Sequence, residues 1–302
     1  MVFGCVFTSA MLTYFWLPVL GRLKVLDVPN ERSSHQRPVV RGGGVSIALT
    51  WSLAAAAVAA FSGWPRAVIA LIALTIGMAS LGFLDDVRAQ DARLRLAIQF
   101  TLAAAAVAGG LAVQRLSFPR LGVLELSWVS PILCTVSLVA VVNLFNFMDG
   151  IDGLAAGQTV VAGAVMAVGA ALHRQPTLSL LSAALAAAAA GYIPFNWSPA
   201  RCFMGDAGSY TCGVLIAGML LLGERGGIPL VAVGLASAPF FLDATYTLLR
   251  RILGRQPLFV AHRTHVYQRL VVSGWSHRRV TSLYLAVGAL FGVAGLLWIQ
   301  PT

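Results

Sequence analysis

Asn143, Asn146, Asp149 and Asp152 stand directly behind an apolar run, Trp128 to Val142, that is long enough to enter a bilayer. Carboxylates placed there are costly and usually mark a substrate site or an ion path. Within a helix Asn143, Asn146 and Asp149 fall three apart, so they share one side and would aim their oxygens at a common point. Gly150 and Gly153 let the backbone turn or come close to a ligand. A polar helix end closed by a glycine cap is the plainer alternative.

Other stretches carry chemistry of the same kind. Gly82-Phe-Leu-Asp85-Asp86 ends another apolar run and is followed by Arg88, Asp91, Arg93 and Arg95. Adjacent carboxylates suit Mg²⁺, which takes hard oxygen ligands and keeps several waters. They also repel, so one can titrate upward and serve as a base; a solvated helix end paired with Arg88 would look the same. Asn196 to Ser209 reads as a loop shaped by proline and glycine, with Asp206 its only acid and Phe203 placed to stack on a base or to anchor at the interface. A carboxylate from a separate helix is what a divalent ion needs to be held firmly.

The segment Pro257 to Arg269 interleaves His262, Arg263, His265, Gln268 and Arg269, donors suited to pyrophosphate oxygens. Metal binding by His262 and His265 alone is a weaker reading, since no third ligand follows. Arg37, Arg41 and three glycines ending at Gly44 precede an apolar run, a pattern for holding a phosphate on freed backbone amides. Asp243, in Pro239-Phe-Phe-Leu-Asp-Ala-Thr-Tyr, has no cation on a neighbouring turn, and the sequence leaves open a structural hydrogen bond or a catalytic role.

These residues need elements to hold them, and composition says which. The 302 residues are 58% apolar and 11% charged, with mean hydropathy +0.82, which excludes an ordinary soluble core and indicates a polytopic membrane protein. Ten segments reach or approach spanning length, near 3–20, 44–62, 67–84, 96–114, 128–147, 154–172, 177–195, 210–223, 227–249 and 281–299. The eighth is the shortest. The first lacks a basic start and a cleavage site, so it reads as a retained span. The expected fold is an all-α helix bundle of about ten transmembrane helices, one domain over 1–302.

Lys and Arg are unevenly shared among the connecting loops: 16 of the 21 fall in those after spans 1, 3, 7 and 9, leaving Arg66, Arg115, Arg120, Arg174 and Arg225 opposite. The positive-inside rule then makes the richer loops cytoplasmic and both termini external. Of the 11 carboxylates only Glu125 and Glu224 lie outside, so the acids gather at the cytoplasmic face. A net charge of +10 favours anionic lipids and soluble anionic substrates. No basic soluble domain is present to hold nucleic acid. Cys5, Cys134, Cys202 and Cys212 are too scattered for a zinc or redox spacing.

Asn-x-x-Asn-x-x-Asp-Gly-x-Asp-Gly-Leu from Asn143, Phe-Met-Gly-Asp-x-Gly-Ser from Phe203, the Asp85-Asp86 pair and the His265 loop occur in the order found in the polyprenyl-phosphate N-acetylhexosamine-1-phosphate transferases. The chain resembles that family over nearly its whole length. The resemblance implies transfer of a sugar 1-phosphate from a UDP-N-acetylhexosamine, N-acetylglucosamine or a 6-deoxy sugar such as FucNAc or QuiNAc, to undecaprenyl phosphate, releasing UMP. It implies a bacterial inner-membrane enzyme whose active site faces the cytoplasm, with Mg²⁺, or Mn²⁺ in its place, as cofactor; homodimers occur in the family, but no interface is legible here.

By position Asp206 is similar to the family's metal ligand, and Asp85 and Asp86 to its acidic pair, with Asp86 a second candidate ligand. Asn146 and Asp149 match residues near the metal, with Asp149 and His265 added to the catalytic set. Gly150, Ile151, Asp152 and Phe203 match the nucleoside pocket, and Arg93 stands where the family often has a cation. Arg37, Arg41, Asn196 and Arg263 complete the expected substrate contacts. The peptidoglycan branch has a run of histidines where this chain has His265-Val-Tyr267-Gln268, and a lysine-containing loop where this chain has Arg37 to Gly44. Both departures look like the branch that primes O-antigen or other surface polysaccharide. The alternatives are the muramoyl-pentapeptide transferase and, from another class, a cation-coupled transporter, although no internal repeat is visible.

Overall fold

The structure, a computed structural model, describes residues 1–29, 37–256 and 263–299. Apolar sequence without water to satisfy its backbone must close its hydrogen bonds within each segment, and helices result. All ten expected segments are helical. They form α1 (Val2–Arg22), α2 (Val45–Phe61), α3 (Arg66–Val87), α4 (Ala92–Ala106, widening into one looser turn over Val107–Leu111), α5 (Ser130–Met148), α6 (Leu154–Leu172), α7 (Pro176–Asn196), α8 (Gly205–Arg225), the pair α9 (Leu230–Gly234) and α10 (Ala238–Leu253), and α12 (His277–Trp298). A short α11 (Val266–Val272) precedes α12.

Among the described residues nine stretches are long and apolar enough to cross a membrane; α2, at 17 residues, is the shorter one. The expectation that the eighth span is shortest is corrected: α8 has 21 residues, because the helix begins at Gly205 and takes in the polar Asp206 to Ser209 turn. The ninth is interrupted. A tight turn over Leu235–Ser237 separates α9 from α10, and Pro239, which has no N–H to give, falls in the first turn of α10. The Gln158 side chain on α6 donates to the Ala236 carbonyl at 2.7 Å, so part of the backbone freed by the break is satisfied inside the bundle.

The bundle is centred on α8, 78% of whose most apolar window is buried, against 17% for the peripheral α1. Small residues bring the central helices together, as at Gly163, where a Cβ would lie 2.9 Å from the Ala186 amide of α7. On one face of the bundle a small sheet joins distant loops. Strands β1 (Leu26–Asp27) and β2 (Val39–Arg41) are antiparallel, and β2 runs parallel to β5 (Cys202–Phe203), with Arg41 in register with Phe203. On the other face β3 (Arg115–Phe118) and β4 (Gly122–Glu125) form a hairpin. The first sheet matters for function because it delivers Arg41 to the start of α8.

Candidate active site

Four elements converge where α3 ends and α8 begins. Asp86, on the last turn of α3, accepts the backbone amides of Asp206 at 2.8 Å and Ala207 at 3.0 Å, so it caps α8 and meets its positive end. Arg41 closes the other side of that carboxylate at 2.6 Å. Such closeness needs glycine. Gly205 has φ +71°, and a Cβ there would collide with the Asp86 carboxylate; at Gly82 it would collide with the Asp206 backbone, and at Gly44 with Gly208.

Asp206 therefore lies in the first turn of a helix and not in the expected loop. Asn146 of α5 donates to its Oδ1 at 2.9 Å and also to Ser209 at 2.9 Å. Arg41 and Arg95 stand 3.4 and 3.5 Å from its Oδ2. Its carboxyl is also in hydrogen-bond contact with that of Asp85. Two carboxyls in contact must share a proton or a cation. Asp85 is further held by the Gln90 amide at 2.6 Å and by Arg95 at 2.5 Å, so its cation is Arg95 and not the Arg88 of the plainer helix-end alternative.

Arg95 is the residue that sequence reasoning missed. Arg93 was the expected cation, yet it is exposed and makes no ion pair among the described residues, whereas Arg95 reaches Asp85, Asp206 and the Tyr210 hydroxyl. Two residues are about 200° around a helix, so neighbours in sequence face opposite ways. The available signal was Gln99, also on α4: it is buried, and Arg95 lies one turn before it on the same face.

The amide and carboxylate residues of α5 do not converge on one point as expected. Asn143 donates to Gln99 at 2.7 Å and to its own helix at Val139, Asn146 turns to Asp206, and Asp149 lies just past the helix end. Spacing of three drifts by about 60° per step, and the helix stops at Met148 before Asp149 can join. Asp149 is half-buried and its carboxyl has no hydrogen bond among the described residues. Burial, assisted by the charge of Asp86 and opposed by Arg41, pushes its pKa up to about 7.

The nucleoside-pocket candidates are drawn into loop packing. Asp152 is buried, with His277 Nδ1 at 3.3 Å and the Ala200 amide at 3.2 Å. Burial would raise its carboxyl, but the hydrogen bonds and charge of His277, with further bonds from Ser198 and Ala200, hold it below the usual carboxylate range. Asn196 ties the Gly153 amide (3.1 Å) to the Cys202 carbonyl (3.0 Å), Ile151 is buried, and Gly150 is exposed over Tyr267. Phe203 is half-buried in β5, beside Arg41.

Two of the three glycines after Arg41 do not offer free amides to an anion, because Gly43 and Gly44 donate to the Phe203 and Met204 carbonyls at 3.0 Å each. Arg37 is exposed at the start of that strand, and Arg263 is half-buried ahead of α11. His265 is buried at the head of α11, its ring stacked 5.7 Å from Tyr267. His262 lies outside the described residues. Among the described residues no three His, Cys, Asp or Glu side chains gather into a metal site of their own. The Asp85–Asp206 pair nonetheless fits Mg²⁺ by donor chemistry, being anionic oxygen from two helices, for an ion that commonly takes one or two carboxylates and completes its shell with water and substrate phosphate. Asp86 does not fit, since the two backbone amides and Arg41 already use both its oxygens.

The chain matches the family described as "Glycosyl transferase family 4" over residues 68–224, which takes in Asp85, Asp149 and Asp206. It is 30% identical to the probable undecaprenyl-phosphate N-acetylglucosaminyl 1-phosphate transferase of Bacillus subtilis (strain 168), over 94% of this chain and 81% of that protein. It is 32% identical to the decaprenyl-phosphate N-acetylglucosaminephosphotransferase of Mycobacterium leprae (strain TN), over 97% and 83%. Identity to the phospho-N-acetylmuramoyl-pentapeptide-transferase of Synechococcus sp. (strain JA-2-3B'a(2-13)) is 34%, over 96% and 89%. A polytopic helical chain that gathers its carboxylates at one end of the bundle and matches these proteins along almost its entire length belongs to glycosyl transferase family 4.

Proposed function

We propose that this protein transfers N-acetylhexosamine 1-phosphate, with N-acetylglucosamine the first candidate, from a UDP-sugar to undecaprenyl phosphate, giving the undecaprenyl-diphospho-sugar and UMP. The observation that carries the reading is the contacting Asp85–Asp206 carboxyl pair, flanked by Arg41 and Arg95, with Asp149 close enough to feel the charges of Asp86 and Arg41. The names of the B. subtilis and M. leprae relatives support the sugar and the acceptor class. The product would prime a surface polysaccharide such as O-antigen.

In the reaction an oxygen of the lipid phosphate attacks the sugar-bearing phosphorus of the UDP-sugar. The bond from that phosphorus to the bridging oxygen breaks, and UMP leaves with the oxygen and its electrons. Both reactants are anions. Bound at Asp206 and Asp85, Mg²⁺ would neutralise charge on the diphosphate. Arg41 and Arg95 keep the carboxyls in place and add positive charge on the same side. Asp149, with a pKa near the working pH, accepts a proton from the lipid phosphate. On this reading His265 and Arg263, at and before the head of α11, would add donors to the diphosphate.

An almost wholly apolar cavity of about 580 Å³ opens between α5, α8 and the α9–α10 stretch, in the half of the bundle toward the β3–β4 hairpin, lined by Leu116, Leu126, Leu138, Val141, Leu221 and Leu235 among others, and the distal part of the prenyl tail could occupy it. On this reading the acceptor enters sideways from the bilayer while the nucleotide comes from the cytosol, with the site at the cytoplasmic face of the inner membrane.

A second reading, transfer of phospho-N-acetylmuramoyl-pentapeptide, is favoured by the Synechococcus relative and opposed by the single His265 in place of a histidine run. Purified protein given undecaprenyl phosphate and a panel of UDP-N-acetylhexosamines, with UDP-muramoyl-pentapeptide alongside, separates the two. UMP release with one amino sugar, lost on chelation and restored by Mg²⁺, is the expected result. Release only with the pentapeptide moves the protein to the other branch, and silence with every donor overturns the transferase reading.

A further inference from the structure

Asp243 lies in α10 with 5% of its surface exposed, at a depth where an unanswered carboxylate would be expensive. Four donors answer it: the amides of Val266 and Tyr267 at 2.8 and 3.0 Å and the hydroxyls of Tyr284 and Thr247 at 2.6 and 3.2 Å. Nδ1 of His265 stands beside the same carboxylate at 3.5 Å, a contact and not a hydrogen bond. Both amides and this ring belong to the consecutive residues 265–267 at the head of α11, and Tyr284 comes from α12.

With seven residues α11 is too short to hold its own conformation, so its placement must come from partners outside it. Asp243 supplies the largest set. The far side of the same segment reaches the site: the Tyr267 hydroxyl donates to the Phe147 carbonyl at 3.1 Å, and its ring packs under Gly150, where a Cβ would collide with that hydroxyl. The His265 ring lies 6.2 Å from that of Phe147.

Resting on the transferase reading above, we propose that Asp243 is a positioning residue that fixes the His265 imidazole and, through Tyr267, seats the turn that carries Asp149. Its charge is what the arrangement uses. An amide in its place would keep one accepting oxygen but turn an N–H₂ toward donors, leaving at least one buried amide or hydroxyl unanswered.

The test uses full-length protein in nanodiscs, comparing wild type, Asp243→Asn, Tyr284→Phe, His265→Ala and the double variant Asp243→Asn/His265→Ala. In Asp243→Asn, kcat is expected to fall roughly 10- to 100-fold, the range typical when a group orienting a functional histidine is removed. KM for the UDP-sugar should stay within about two-fold. The double variant should be no more than about two-fold slower than His265→Ala alone, because one change acts through the other. A simple helix brace would instead give additive losses, and that result overturns the proposal, as does a fully active His265→Ala.

A second measurement does not need activity. In ¹⁵N-histidine-labelled protein the ring signals absent from His265→Ala are assigned to His265. They should shift in Asp243→Asn and, less, in Tyr284→Phe, while those of His173 stay put; unmoved His265 signals would refute positioning. If wild type releases no UMP from any donor, the transferase reading fails, and the ring signals alone then decide whether Asp243 holds the imidazole.

Discussion

Asp149 is the residue at which local physics most directly predicts behaviour. Asp85, Asp86 and Asp206 are each engaged by guanidinium or amide donors, while Asp149 has neither among the described residues and sits half-buried with a pKa pushed up to about 7. Below that pH the carboxyl is protonated and no longer accepts a proton, so turnover should fall with decreasing pH, approaching about tenfold per unit on the acid side. In Asp149→Asn the rate should be lower and this limb should vanish; a variant that kept the same limb would remove Asp149 from the proton path. The cost of an acid behind apolar sequence singles out Asp149, the paired acids at a helix end single out Asp85, and Asp206 stands out as the lone acid of the stretch Asn196 to Ser209. The cation that serves them is not legible in the same way. Arg95 opens a span on the basic side, where any arginine obeys the positive-inside rule, and only the helical phase of Gln99 separates it from Arg93.

At the scale of elements the site depends on how closely α3 can lie against the start of α8. A carboxylate capping another helix's amides at 2.8 Å leaves no room for side chains between the two backbones, which is why Gly82 and Gly205 stand there. Gly82→Ala changes no charge and touches no substrate, yet its methyl would fall on the Asp206 backbone. We expect stability to drop by about 1–3 kcal/mol, read as a lower melting temperature, and activity to be lost with the displaced Asp206. Gly4→Ala, with nothing within 4 Å of the added carbon, is the matched control and should melt within about 0.5 kcal/mol of wild type. Equal melting and activity in the two would show that α3 and α8 have slack. Periodicity and length located these helices but not their ends. Asp206 read as a loop residue because Pro199, Gly205 and Gly208 are turn formers, and the ninth span read as continuous although Pro239 offered the clue to its break.

For the whole molecule the question is which way the acidic end faces, and under the positive-inside rule the charge asymmetry predicts the cytosol. Arg22, Lys24, Arg88, Arg201, Arg255 and Arg278 share one end of the bundle with the site, whereas Arg115 and Arg120 lie on or beside the β3–β4 hairpin at the other. That partition is legible in the amino-acid sequence, since it needs only span positions and a count of basic residues; the β2–β5 pairing that brings Arg41 to the site is not, because it joins segments about 160 residues apart. A UDP-sugar is made in the cytosol, so the transferase reading stands only if the arginine-rich end is inside. All four native cysteines are buried, which leaves introduced ones as the reactive thiols. Arg120→Cys and Arg255→Cys place a thiol at exposed positions on opposite ends. An impermeant maleimide added to intact cells should label Arg120→Cys, and should reach Arg255→Cys only after the membrane is opened. The reverse pattern would put Asp85, Asp149 and Asp206 outside, where no nucleotide sugar is available, and the function proposed for them would fall with the topology.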